Sequence, residues 1–214
     1  MRNIAILAPK SAQNLYTLAT IRTLCKSAGV REVTEPEAEA LWVSLCDPDD
    51  IGILWQARKL AKGRPVIMGG FEAWYGAPYL AWADAIVVGE GQEFIDAWGK
   101  NGFDVALSLP CVLTMDRYKQ GDAVIPSYQV PYSSVPLLRL PGKERYYFLA
   151  GRGCKGKCSF CATSWTQPHT FMTDTDFFLG HIHGVGGITG LQVPVGGGKH
   201  VHFASDTTTF DACH

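Results

Sequence analysis

The sequence predicts an α/β protein whose first half is a doubly wound, parallel sheet. Two observations predict it. Short apolar runs alternate with segments of helical spacing through the first hundred residues. The strand-like runs are apolar throughout, as expected of parallel strands covered on both faces. The size of the chain agrees: 214 residues suffice for one large or two small domains, and 47% hydrophobic content supplies a core.

Each element follows from local signals. Ile4 to Ala8 reads as a buried strand. Ala12 to Ala28 reads as a helix, with Leu15, Leu18, Ala19 and Arg22 at helical spacing and Gly29 closing it. Leu41 to Leu45 is a second strand. Asp47-Pro48 opens the next helix, with proline at a first-turn position and acids near the N-terminus. That helix is expected to reach about Lys62 and to end at Gly63. Pro65 to Met68 and Ala85 to Val88 are the third and fourth strands, and Gln92 to Lys100 is a short helix. Ligands of such sheets sit at the carboxyl ends of the strands. The loops there are Pro9 to Asn14, Cys46 to Asp49, Gly69 to Gly76 and Gly89 to Gly91.

The expected organisation is a first domain over residues 1–104, a linker over 105–145, and a second domain over 146–214. Val105 to Met115 reads as one or two strands and Ala123 to Val130 as another, and Pro126, Pro131, Pro136 and Pro141 punctuate the linker. Tyr146 to Ala150 and His200 to Ala204 read as strands, and Thr173 to Leu179 as a helix start. Between Gly180 and Gly198, glycines argue for loops.

Totals narrow the function classes. The net charge of −1 provides no basic field to draw in nucleic acid or an anionic membrane. No segment reaches the ~20 continuous apolar residues that span a bilayer. The first apolar run meets Pro9 and Lys10 too soon for a signal peptide. Seven cysteines, three of them clustered, suit a reducing cytoplasm better than a disulfide framework.

The chemistry is concentrated in Gly151-Arg152-Gly153-Cys154-Lys155-Gly156-Lys157-Cys158-Ser159-Phe160-Cys161. Cys154, Cys158 and Cys161 stand at C-x3-C-x2-C spacing after an apolar strand. Three thiolates hold three irons of a four-iron cluster and leave one iron open, whereas a closed electron-transfer cluster takes four. The competing reading is zinc, whose closed set of four ligands would need a distant group such as His169 or Cys213. Arg152, Lys155 and Lys157 suit either, since positive charge lowers cysteine pKa values.

This run resembles the signature of the radical S-adenosylmethionine (SAM) enzymes, C-x3-C-x-aromatic-C, with Phe160 in the aromatic place. The resemblance implies a four-iron four-sulfur cluster on Cys154, Cys158 and Cys161, and SAM chelating the open iron. It also implies a 5′-deoxyadenosyl radical made with an electron from a reductant such as flavodoxin or ferredoxin. Tyr146 to Ala150 and His200 to Ala204 would be the first strands of a (β/α) barrel portion. Ser205 and Asp206, after the second of these, occupy the place where the family contacts SAM, although its Gly-Gly-Glu motif is missing. The barrel is expected to be incomplete, because a full one takes ~200 residues or more. Three explanations stand open: a fragment, a second chain completing the barrel, or an unrelated replacement tail.

VIMGGFEAW (66–74) and ADAIVVGEGQEF (83–94) look like the cobalamin-binding-like domain that precedes many radical SAM cores. Gly69-Gly70 and Gly89-Glu90-Gly91 would lie beside its ligand crevice, where glycine permits close approach of backbone to a flat ligand or a tight turn. The cobalt-ligating histidine motif is absent, since all six histidines lie at or after position 169. Cobalamin is therefore unexpected, and the domain reads as a docking scaffold. Cys25, Cys46 and Cys111 invite comparison with the second cluster of methylthiotransferases, but their surroundings suit small buried hydrophobes.

The tail carries His181-Ile182-His183 and His200-Val201-His202, whose alternate positions share a strand face and suit metal ligation, with Cys213 and His214 nearby in sequence.

Overall fold

A computed structural model describes residues 2–9 and 12–127, together with five short strands after residue 137. The chain divides into two compact units, Met1–Val130 and Pro131–His214.

In the first unit the elements run β1 (Arg2–Leu7), α1 (Ala12–Ala28), β2 (Val30–Glu32), β3 (Ala40–Ser44), α2 (Ile51–Ala61), β4 (Val66–Gly69), β5 (Ala85–Val87), α3 (Gln92–Asn101), α4 (Phe103–Leu107), β6 (Val112–Thr114) and α5 (Met115–Gln120). They build a six-stranded sheet of order β2-β1-β3-β4-β5-β6. All neighbours pair in parallel except β5 and β6. The order reverses at β1, so the winding is double, as the alternation of elements predicts.

Strand alternation sends side chains to two cores. On one face Ile4, Trp42 and Ile67 pack with Leu24 and Cys25 of α1 and with Phe94, Ile95 and Trp98 of α3. On the other, Leu41, Val43, Val66 and Met68 pack with Leu54, Ala57 and Ala61 of α2. β3 is buried along its whole length, which explains its unbroken apolar sequence. At the crossing of α1 and α3, a Cβ on Gly99 would collide with the Ala28 carbonyl, so glycine sets the closeness of these helices.

The helix ends follow their signals. Gly29, at φ +72°, closes α1. The Asp47 carboxylate accepts from the Asp49 N–H at 2.9 Å and caps a 3-10 turn, Pro48–Asp50, that leads into α2. The helix proper therefore starts after the proline turn, at Ile51.

Three parts of this unit differ from expectation. β2 is an additional three-residue edge strand, too short for a periodic signal. Phe71–Tyr75 and Ala77–Ala81 form 3-10 turns where the sequence reads as loop and undefined chain. The third concerns the expected linker. Phe103, Ala106 and Leu107 pack on the first core at helical spacing, so α4 replaces the strand expected from Val105, which is exposed. Val112 enters one core and Leu113 the other, so β6 is an inner-facing strand of the main sheet. Ala123 to Ser127 forms no extended strand; Ser127 alone bridges Gly89.

The second unit contains β7 (Leu138–Arg139), β8 (Arg145–Leu149), β9 (Gly151–Arg152), β10 (Thr170–Phe171) and β11 (His200–Ala204). β8 is central in a three-stranded sheet of order β11-β8-β7. β11 runs parallel to it and β7 antiparallel. The two strands expected here are thus present and adjacent. β7 lies in the stretch expected as linker, residues 105–145, ahead of the expected barrel portion. Thr173 to Leu179 lies outside the described residues.

Candidate metal centre

β8 leads directly into β9, and β9 pairs antiparallel with β10 through Arg152↔Thr170 and Gly151↔Phe171. This pairing closes the segment that begins at Gly153 and ends at His169. Cys154, Cys158, Cys161 and Phe160 all belong to that segment and lie outside the described residues. The parallel register Leu149↔Ala204 sets the carboxyl ends of β8 and β11 level. The chain toward the cysteines and the chain toward Ser205 and Asp206 therefore leave from one sheet edge. Ser205 and Asp206 themselves lie outside the described residues. The donor set suits a thiophilic centre: three cysteines fall within eight residues of the sequence. His169 lies outside the described residues.

In the first unit, the glycines at the carboxyl edge approach this chain's own backbone. Gly70, at φ +97°, lies against Leu45, and a Cβ there would stand 2.8 Å from the Leu45 nitrogen. The Glu72 N–H donates to the Leu45 carbonyl at 3.0 Å, and the Leu45 N–H to the Gly69 carbonyl at 2.9 Å. Gly89, at φ +89°, lies against Ser127 in the same way, and the Glu90 N–H donates to the Ser127 carbonyl at 2.7 Å. Tight backbone packing accounts for both glycines.

Sequence reasoning missed the buried polar groups of this region. Glu72 is 5% exposed, and its carboxylate accepts from the Tyr79 hydroxyl at 2.5 Å. Burial and this carboxylate push the Tyr79 phenol up to about 12. Ser44 and Ser127 are buried with hydroxyls that have no hydrogen-bond partner among the described residues. Single serines and a lone glutamate in apolar runs carry no spacing signal that would have singled them out.

The cysteines of the first unit behave as small hydrophobes. Cys25 and Cys111 are buried in the core beneath α1 and α3, while Cys46 is half-buried. Burial, and to a lesser degree the Glu32 charge, raise the Cys25 thiol to about 12. Cys111 is also shifted up, mainly by burial. Thiols held in this form are poor metal ligands, because the thiolate is the ligand. Among the described residues no three His, Cys, Asp or Glu side chains form a group able to hold a metal ion. Among them, too, no helix is long and apolar enough to cross a membrane.

Comparison with known families corrects the resemblance drawn from the cysteine motif. Residues 156–214 match the model of the YmaF family, described as spore germination protein GerY/YamF, and no radical SAM model matches. No curated protein matches the chain. The matched segment begins after Cys154 and contains Cys158, Cys161 and all six histidines. The correction has a physical reason. Three cysteines at a given spacing specify a donor set, and a donor set recurs on unrelated folds.

Proposed function

We propose that this protein binds a four-iron four-sulfur cluster through Cys154, Cys158 and Cys161, leaving one iron open to an exchangeable ligand. The observation that carries the reading is the three-cysteine spacing on a segment closed by β9 and β10. The reading rests on donor chemistry and not on family membership. An open iron can accept a ligand that chelates through amino and carboxylate groups, and SAM, the ligand implied by the cysteine spacing's resemblance, has both. Ser205 and Asp206 follow β11 in the sequence and are the side chains assigned to such a ligand. Bound in this way, the cluster would supply one-electron chemistry fed by an external reductant in a reducing cytoplasm.

A second reading has its own support. His169 follows Cys161 by eight residues in the sequence and would supply the fourth ligand of a closed three-cysteine, one-histidine zinc site. In that form the protein is non-catalytic and serves as a docking module.

Electron paramagnetic resonance of the anaerobically reconstituted, dithionite-reduced protein separates the two. A four-iron signal that shifts on adding SAM supports the open cluster. A four-iron signal indifferent to SAM retains the cluster and removes SAM as its ligand. Zinc in the purified protein, no cluster signal and zinc loss in His169→Ala would replace the cluster with the closed site. Cys158→Ala is expected to lose most of its iron and sulfide; full retention would sink the assignment.

A further inference from the structure

We propose that the carboxyl edge of the first unit's sheet holds a binding site for an uncharged planar heterocycle with a cyclic-amide edge, of the nucleobase class. Strand alternation places Trp42 and Ser44 of β3 on the face covered by α3. The Trp42 ring packs on Phe94, in the first turn of α3, with ring centroids 5.7 Å apart. Ser44 lies two residues further toward the carboxyl edge, and Gln92 lies two residues nearer the start of α3. Both therefore lie beyond the Trp42–Phe94 contact, at the end of the sheet where such folds take ligands.

Three polar atoms of this group are buried with no hydrogen-bond partner among the described residues: the Trp42 indole Nε1, the Ser44 hydroxyl and Gln92 Oε1. Ser44 is only 2% exposed. Buried polar groups of native proteins are paired with few exceptions, so three at one end of one face point to a partner outside the chain. Room is present beside them. Gly69 stands opposite Ser44 in the parallel register and so shares its face. A Cβ at Gly69 would meet nothing within 4 Å, whereas one at the neighbouring Gly70 would collide with Leu45. Gly69 is half-buried, which opens the site to solvent.

These atoms define the ligand. An indole N–H only donates, an amide oxygen only accepts, and a hydroxyl does both. A cyclic amide presents the complementary carbonyl and N–H side by side, and its flat ring suits a wall that contains Trp42. Charge excludes an anion. Residues 45–50, 69–76 and 88–92, which form this edge, include Asp47, Asp49, Asp50, Glu72 and Glu90 and no lysine, arginine or histidine. A phosphate or carboxylate would meet repulsion there. The site uses no cysteine and is independent of the metal centre.

Equilibrium dialysis of the full-length chain with uracil and with hypoxanthine tests it. At least one should bind with a Kd below about 1 mM. The N-methylated counterpart of whichever binds, which keeps its carbonyl and lacks the amide N–H, should bind at least about tenfold more weakly. Gly69→Ala places a methyl group in the site at a backbone conformation outside the left-handed region. It should weaken binding at least about tenfold and leave the thermal midpoint within about 3 °C. Ser44→Ala should weaken binding about fivefold without loss of stability, because it deletes an unsatisfied hydroxyl. Equal binding of the methylated probe, or unchanged affinity in both variants, would overturn the proposal. Absence of binding by either heterocycle would also overturn it and leave ordered water as the partner of these groups.

Discussion

At the residue scale, positive-φ glycines separate two physical costs. Gly70 combines φ +97° with a Leu45 backbone that leaves no room for a Cβ, whereas Gly63, at φ +90°, has nothing within 4 Å of that position. Gly63→Ala is expected to cost about 1 kcal/mol, from backbone strain alone. Gly70→Ala should cost about 3 kcal/mol, because the loop after β3 must also move. Urea unfolding of both variants checks the order. Cys25 makes a pH prediction. Its folded pKa is about 12 against an ordinary 9.0. The folded state then binds more protons than the unfolded state between these values. The contribution is complete below pH 9 and is lost as pH rises toward 12. Stability of the wild type should therefore fall from about pH 8 to about pH 10 more steeply than that of Cys25→Ala. Equal slopes would contradict the buried thiol.

At the element scale, Arg64 joins the end of α2 to the turn before β3. Its guanidinium donates to the Ala61 carbonyl at 2.8 Å, the Leu60 carbonyl at 2.7 Å and the Ala38 carbonyl at 3.1 Å. It also pairs with the Glu35 carboxylate. Arg64→Ala is expected to lose about 2 kcal/mol, since these are charge-assisted bonds from a half-buried group. Arg64→Lys should recover little, because an ammonium lacks the planar fork. α3 is anchored by Trp98, whose ring packs edge-on against Trp42 at 5.8 Å and Phe103 at 5.2 Å. Its indole N–H is buried without a partner among the described residues. Trp98→Phe should then cost less than about 1 kcal/mol, because it deletes an unsatisfied donor and keeps an aromatic ring. Trp98→Ala should cost about 3–5 kcal/mol through the cavity. Thermal or denaturant midpoints decide the contrast.

At the scale of the whole molecule, the first unit has what independent folding requires: a six-stranded sheet and a core on each face. A fragment of residues 1–130 is expected to unfold cooperatively in urea, with tryptophan fluorescence and far-ultraviolet circular dichroism changing together. A fragment ending at residue 104 should not. It would lack β6, which pairs with β5 and contributes Val112 and Leu113 to opposite cores. Non-coincident or absent transitions for the longer fragment would show that the second unit is needed for stability.

The sequence by itself determined the strands β1, β3, β4 and β5 and the helices between them, because buried parallel strands read as unbroken apolar runs. It likewise located β8 and β11 of the second unit. Only the tertiary structure decided where the first unit ends. β6 is too short to show a period, and its membership of the sheet depends on a partner more than twenty residues away. The meaning of Gly70 and Gly89 was also a tertiary matter. Glycine announces close approach, but the backbone that approaches belongs to Leu45 and Ser127, distant in sequence. Local composition governs an element; partners far along the chain govern its place.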